Sequence, residues 1–511
     1  MNVAGPIAAA VARRRLATMR RLARDPRRAQ DALLARIAAR MANTKFGRLH
    51  GLAGVRRVED LANALPLHDH STMATWWNRA RSGEPDVCWP GIVRHWAISS
   101  GTTSGEKFLP VPDSTIRSNQ GGGFDALAPH LARQGGGIFG GKLLFLGGCT
   151  AMRNDGPAVI GDNTGIMALH VPRLLRRWHA PAPEIRAIPD WEEKVRRAAA
   201  TTIDQDLRMV AGVPSWIVLW GEEVLAAVRQ RGGQATTLRH VWPHLSLYVH
   251  GGVAFAPYRT RVRELFGDGV EFVDTYSASE GGMLAVQDTP DSGGMLPLVD
   301  RGAVFEFVPR DELGAASPRR TPLALVEPGV EYAVAVTTDA GMASYVLGDT
   351  VRFVGCDPLR LEFAGRIAHT LNAFGEHVSG GELDRAVASA AASCDASVDE
   401  FAVTTEFPEP GEPKGRHVFL VEFRREPHDL DAFARAIDGA LATGNEDYAT
   451  HRTHGLRPPL VAKLPSGSFL AWMRERGKVG GQNKVPRVLT PDAAAALRGP
   501  AAVVAPQRIF S

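Results

Sequence analysis

The chain is poor in cysteine: only Cys88, Cys149, Cys356 and Cys394 occur among 511 residues. Their separations match no zinc or redox spacing, and reduced thiols fit a cytoplasmic protein. No apolar run approaches the ~18–20 residues that a membrane span needs, so no membrane association is expected. A secretory leader is disfavoured, because the short apolar run Ile7 to Ala12 precedes the arginines instead of following them. Neither basic nor acidic residues are in large excess. A formal net charge of +4 gives no reason to expect a nucleic-acid partner, whose binding face would concentrate basic residues. The G-x-S-x-G elbow of one hydrolase class is absent, as is a G-x-x-x-x-G-K-[ST] loop. No internal repeat occurs, and nothing marks an obligate protein partner.

What is present is ordinary for a globular chain, with 44% hydrophobic and 22% charged residues. The length exceeds one core and suits a large domain followed by a smaller one. Basic residues gather near the start, where Arg13, Arg14, Arg15, Arg20, Arg21, Arg24, Arg27 and Arg28 are interrupted only by Asp25. They read as the solvated face of a helix whose apolar side carries Leu16, Met19 and Leu22. A transit peptide or an anionic-surface contact is the alternative.

Helical periodicity over 29–45 ends at Asn43, Thr44 and Gly47. A second helix starts near Ser71, with N-cap candidates in 67–72. There His68 and His70 read as capping or exposed residues, with metal binding as the alternative. Residues 92–98 alternate like a strand. From 142 onward short apolar runs alternate with helical patterns (142–146, 216–229, 246–249, 257–266, 270–274), and 303–308, 331–337 and 351–354 read as strands. This order predicts an α/β architecture with a partly parallel sheet. After about residue 370 the pattern becomes helix 380–392, strands 401–406 and 417–424, and helix 429–442, a small α+β domain. Pro408–Pro413 reads as a surface turn.

The strongest local signal is Ser99-Ser100-Gly101-Thr102-Thr103-Ser104-Gly105-Glu106-Lys107. Glycines let backbone N–H groups approach a phosphate, hydroxyls add donors, and a lysine neutralises charge. Small-residue loops are common, so composition alone favours an ordinary loop over phosphate binding. The stretch resembles the phosphate loop of the adenylate-forming superfamily, and more closely that of the Gretchen Hagen type (auxin-responsive promoter family) acyl-acid amido synthetases. Upstream, Thr44–Gly51 and Gly83-Glu84-Pro85-Asp86 resemble bacterial members, as does Gly212-Val213-Pro214-Ser215-Trp216. The Ala- and Arg-rich composition also fits a bacterial source.

Four further elements carry the resemblance across about residues 30–490. His250-Gly251-Gly252-Val253 is similar to the adenine-side loop, so Gly251, Gly252 and Val253 are implied there. Tyr276-Ser277-Ala278-Ser279-Glu280 is similar to a motif in which the ring stacks on adenine. By that likeness Tyr276, Ser277 and Ser279 contact the nucleotide, and the Glu280 carboxylate holds Mg²⁺. Read without the resemblance, Ser-Glu marks a helix N-terminus. Tyr345-Val346-Leu347-Gly348-Asp349 is similar to a tyrosine-arginine-valine-glycine-aspartate motif. It implies Asp349, at a strand end, as ribose ligand, with Arg366 of Gly365-Arg366 reaching ribose or phosphate. Gly481-Gln482-Asn483-Lys484-Val485-Pro486-Arg487 implies Lys484 as the lysine of a mobile C-terminal domain.

Val346 and Asn483 depart from the usual arginine and tyrosine, and Ala368-His369 stand where related enzymes place an aspartate or lysine hinge. The resemblance implies a large N-terminal adenylate-forming domain of mixed sheets and helices over 1–368. A small mobile α+β domain over 369–511 follows. It further implies ATP and Mg²⁺ as cofactors, with Lys107, Glu280 and Lys484 catalytic. A carboxylic acid and an amine, an amino acid, are the implied substrates. The acid pocket is expected within 120–220, where Arg173, Arg176 and Arg177 read either as acid-binding or as a solvated face. An acyl-CoA synthetase with a thiol acceptor and a non-catalytic nucleotide-binding homologue are the competing readings.

Overall fold

The computed structural model describes residues 4–100, 106–253, 255–290, 292–367, 371, 376, 378–407, 414–445, 448–449, 452, 456–479 and 484–498. Two compact units result. One comprises residues 1–255, 262–363 and 480–482; the other comprises 256–261, 364–479 and 483–511.

In chain order the strands begin with β1 (His95–Ser100), β2 (Glu106–Val111), β3 (Lys142–Phe145), β4 (Arg153–Asp155), β5 (Ala158–Asp162), β6 (His179–Ala180), β7 (Leu207–Ala211) and β8 (Leu247–Gly251). They continue as β9 (Glu271–Ala278), β10 (Gly282–Val286), β11 (Leu296–Pro297), β12 (Ala303–Pro309), β13 (Thr321–Pro322), β14 (Glu331–Thr338), β15 (Tyr345–Cys356) and β16 (Leu359–Arg366). The last are β17 (Ser397–Glu406), β18 (Arg416–Arg425) and β19 (Leu460–Leu464).

A seven-stranded sheet in the order β11-β10-β9-β8-β7-β3-β6 dominates the first unit. Its five strands from β6 to β9 run parallel. The helices that return the chain between them explain why β8 is apolar and buried along nearly its whole length: both faces are covered. Helix Pro214–Gln230 joins β7 to β8, and its Trp220 stacks on Trp242 with centroids 5.5 Å apart. A second sheet, β2-β1-β5-β4, carries the glycine- and serine-rich stretch, and a third, β13-β12-β14-β15-β16, is antiparallel. The mixed α/β expectation holds.

Three local expectations are corrected. The N-terminal arginines do form a helix, Ala4–Arg24, with Leu16 and Met19 buried. Its arginines do not all face solvent, however. Arg15 donates to Asp125 at 2.7 Å and Asp300 at 2.6 Å, and Arg20 to Asp288 at 2.7 Å. Asp125 and Asp288 are fully buried, so the guanidinium groups supply the counter-charge that burial demands. Next, Asp69 rather than a histidine caps helix His70–Arg81, and His68 is buried with Nδ1 2.8 Å from the Ala343 carbonyl. The third concerns helix Asp113–Gln134, which the sequence reading passed over. Gly121 and Gly122 are contact surfaces: a Cβ at Gly122 would lie 2.6 Å from Met283 of β10.

The second unit follows the helix, strand, strand, helix order. Helix Gly380–Ser393 opens with a Ser379–Glu382 capping box, β17 and β18 pair antiparallel, and helix Leu430–Gly444 covers them. β19 then adds parallel to β18. Phe401, Phe419, Val421, Phe433 and Ile437 form its core. Gly365 and Gly381 have a shared reason to be glycine. A Cβ at Gly381 would lie 1.8 Å from the Ala364 carbonyl oxygen, and one at Gly365 would meet the amides of Gly380 and Gly381.

Candidate active site

β1 and β2 pair antiparallel with Ser99 opposite Lys107 and Ser100 opposite Glu106, so residues 101–105 connect a hairpin. Gly101, Thr102, Thr103 and Ser104 lie outside the described residues. Ser99 and Ser100 end β1, and the preceding Ile98 pairs in parallel with Asp162 of β5. Lys107 is half-buried. Its charge reaches His70, whose pKa lies below the ordinary value, first through burial and then through Lys107.

The Tyr276–Glu280 stretch does not open a helix. β9 runs on to Ala278 and turns back through Ser279-Glu280-Gly281 into β10, with Ala278 opposite Gly282. This alternation buries Tyr276 and exposes Ser277. Glu280 sits half-buried in the turn, within electrostatic reach of Tyr345. The Tyr345 phenol is raised chiefly by burial, then by the charges of Glu280 and Asp69.

Asp349 lies within the twelve-residue β15 rather than at a strand end. Beside it Gly348 has φ 80°, and the pairing with β14 shifts between Ala333 and Ala335, as at a β-bulge. The buried Asp349 carboxylate accepts the Tyr276 hydroxyl at 3.1 Å. The Tyr276 ring also lies 6.0 Å from Phe363. Gly251 closes β8, and a Cβ there would lie 2.3 Å from the Thr275 carbonyl oxygen; Gly252 has φ 85°. Gly252 and Val253 thus leave the carboxyl end of a parallel strand, where open α/β sheets bind ligands.

Lys107, Glu280, Tyr276, Asp349 and the Gly251–Val253 turn all belong to the first unit; Tyr276, Glu280 and the Gly251–Val253 turn lie on or at the ends of adjoining strands of one sheet, and Asp349 meets Tyr276 from β15 of another. Arg366, exposed at the end of β16, and Lys484, also exposed, belong to the second. The segment that follows Lys484 is tied down by β17 and its neighbours. Arg487 donates to Asp384 at 2.7 Å and Glu400 at 2.6 Å, and Val403 bonds the Arg487 carbonyl at 2.7 Å. Arg487 is thereby a buried structural residue.

Sequence reasoning missed two groups beside the site. Tyr345, quoted only as part of a motif, contacts Trp77 at 5.6 Å between centroids. Asn119, on the unforeseen helix, has its amide where a Cβ on Gly282 would sit, 2.4 Å away. The run Asp113-Ser114-Thr115 before Ile116 was the available helix-start signal.

Glu280 and the surrounding chain fit Mg²⁺ in one particular way. Among the described residues no cluster of three or more His, Cys, Asp or Glu could cage a metal. A lone carboxylate that completes its shell with phosphate oxygens and water is how Mg²⁺ is commonly held.

The N-terminal domain model of the GH3 family matches residues 15–218 and 178–271, its central domain model 296–366, and its C-terminal domain model 381–492. The chain belongs to the GH3 family. Among GH3 relatives, an indole-3-acetic acid-amido synthetase of Oryza sativa subsp. indica is 32% identical over 182 residues, covering 33% of this chain and 29% of the relative. A jasmonoyl–L-amino acid synthetase of Oryza sativa subsp. japonica is 28% identical over 275 residues, 49% of this chain and 47% of the relative. The chain thus spans less than half the length of these curated GH3 relatives. A solved GH3.15 acyl acid amido synthetase superposes with a TM-score of 0.74 at 17% identity over 92% of each chain. A 2-hydroxyisobutyryl-CoA ligase in its postadenylation state gives 0.58 at 15% identity, over 90% of this chain and 88% of that one. The fold is therefore that of the adenylate-forming enzymes.

Proposed function

We propose that this GH3 protein is an ATP-dependent acyl-acid amido synthetase, a ligase that forms an acyl-adenylate and passes the acyl group to an amino acid. The observation that supports the reading is that the paired strands β1 and β2, the Glu280 turn and the Tyr276–Asp349 hydrogen bond all belong to one unit.

A carboxylate is a poor electrophile, because its leaving group would be oxide. Attack of the acid on the α-phosphorus of ATP forms a carboxyl–phosphate bond and releases pyrophosphate. The displacement gathers negative charge, so the protein's work is positioning and neutralisation. Ser99, Ser100, Gly101, Thr102, Thr103 and Ser104 cradle the outer phosphates, with Lys107 beside them. Tyr276 stacks on adenine against Gly251, Gly252 and Val253, with Ser277 and Ser279 toward the α-phosphate. Asp349 and Arg366 take the ribose side. Glu280 would hold Mg²⁺, which would supply divalent charge against the phosphates.

Neutral amine then attacks the activated carbonyl and AMP leaves. Residues 1–368 bind the nucleotide and acid. Residues 369–511 form the mobile part that brings Lys484 to the first half-reaction and withdraws it for the second. The protein works in the cytoplasm, in keeping with four cysteines that are all free thiols. Among the described residues no helix is long and apolar enough to cross a membrane.

The test is ATP–pyrophosphate exchange over a panel of acids, followed by AMP release on adding amino acids or coenzyme A. Acid-dependent exchange with faster release by an amino acid is expected. Faster release by coenzyme A would make the chain a thiol ligase, and no exchange with any acid would overturn the reading.

A further inference from the structure

Several buried guanidinium groups among the described residues are matched by carboxylates. Arg15 meets Asp125 and Asp300, Arg320 meets Glu306, Arg360 meets Asp288, and Arg487 meets Asp384 and Glu400. The match has a physical basis, since a cation out of water without a counter-charge is costly. Arg186 breaks the pattern. It closes the short helix Pro183–Arg186 and is half-buried. Its Nε is buried without a hydrogen-bond partner, and among the described residues no carboxylate lies within ion-pair distance. The Nη1 group has only two long contacts, 3.3 Å to the Ala168 carbonyl and 3.4 Å to His179 Nδ1.

The surroundings add positive charge. Arg176 acts on Arg186 across space, and Glu184, the acid that acts on it in the opposite sense, is exposed. His179 is held neutral at ordinary pH by burial and then by Arg186, and its ring stacks on Phe145 at 4.4 Å. Phe145 ends β3, and His179 begins the parallel edge strand β6. The Thr150 amide, just past the carboxyl end of β3, donates to the Arg186 carbonyl, so Arg186 sits by that end of a parallel strand, the side on which such sheets take ligands.

Its position relative to the phosphate loop follows from one short helix. Asp162 pairs with Ile98 at the foot of that loop, helix Asn163–Leu169 begins at the next residue, and Arg186 bonds Ala168 near its far end. Six residues at 1.5 Å each place Arg186 roughly 9 Å along that helix from the foot of the loop. We propose that Arg186, backed by Arg176, is a subsite for a carboxylate carried by a substrate in addition to its reacting group. The inference rests on the acid-activating reading above. That carboxylate belongs to a dicarboxylic acid substrate or to an acidic amino acid acceptor, and Arg186 sets the preference for it.

The test compares wild type, Arg186→Gln and Arg186→Lys. The acid arm uses α,ω-dicarboxylates of graded length against their monomethyl esters in pyrophosphate exchange. The acceptor arm uses glutamate against glutamine in AMP release. In wild type at least one arm favours the second carboxylate. In Arg186→Gln the ratio of kcat/KM values in that arm falls at least tenfold, while Arg186→Lys keeps most of it. The arm that responds identifies the source. A ratio unchanged in Arg186→Gln, or no preference in either arm of wild type, overturns the subsite. Calorimetric titration with the dicarboxylates and with glutamate, without ATP, separates the two proposals. Binding lost in Arg186→Gln while no acid supports exchange would retain the subsite and reject the ligase reading. Exchange with no Arg186-dependent binding would do the reverse. Where Arg186→Gln does not fold, the same ratios are read in Arg176→Gln, and a fall of less than twofold overturns the subsite.

Discussion

The hydroxyl of Tyr276 donates to Asp349 Oδ2 at 3.1 Å, across 73 residues of chain and from one sheet to another. The bond fixes the tilt of the Tyr276 ring and holds a buried carboxylate in the same stroke. Neither residue can be altered without disturbing the other.

Asp349→Asn and Asp349→Ala separate these roles. Asparagine keeps an acceptor for Tyr276 but removes the charge on which the proposed ribose bonds depend. Both variants are expected to weaken ATP binding by tenfold or more in equilibrium titration, with alanine the worse because Tyr276 also loses its partner. ATP affinity equal to wild type in both would reject the ribose assignment.

Lys484→Ala is expected to slow acid-dependent pyrophosphate exchange by about a hundredfold, the usual scale for removing one preorganised charge partner from a transition state. Consumption of a preformed acyl-adenylate by the amine should change by less than threefold on the proposal that the lysine serves only the first half-reaction. Equal losses in both steps would mean that Lys484 holds the nucleotide throughout.

Arg487→Met leaves Asp384 and Glu400 without their cation. Breaking a buried pair from one side costs about 3–5 kcal/mol, so chemical denaturation should show the second unit's transition moving to lower denaturant. A transition that does not move would show that these carboxylates are reached by water.

His179 gives a pH prediction. Burial and Arg186 hold its folded-state pKa at about 4, below the 6.5 of the unfolded chain. A depressed histidine stabilises the fold above about pH 6.5, and that contribution fades as pH falls from 6.5 toward 4, where the folded form finally takes up the proton. Its imidazole resonances should therefore titrate near pH 4, and in Arg186→Gln the midpoint should rise. A midpoint near 6.5 in wild type would remove the cationic environment drawn around Arg186.

Much of the fold was legible. The parallel strands around β8 announce themselves as short apolar runs between helical patterns, because burial on both faces demands apolar residues throughout. Gly365 and Gly381 stand in recognisable motifs, and the structure supplies the reason: a backbone approach that no Cβ would permit. The Tyr276–Glu280 stretch shows the limit. Its residues were found, but a hairpin turn and a helix start use the same small polar residues, and only the pairing of β9 with β10 distinguishes them.

The sequence by itself determined where the chain is chemically equipped, since glycine, hydroxyl and lysine content is written in consecutive residues and acts through the local backbone. It could not determine what each charge is for. Arg15, Arg186 and Arg487 look alike in sequence. One is paired across 110 residues, one across 103, and one has no acid within ion-pair reach among the described residues. A charge acts according to the groups and the water around it, and those neighbours are brought together only when the sheets and helices pack.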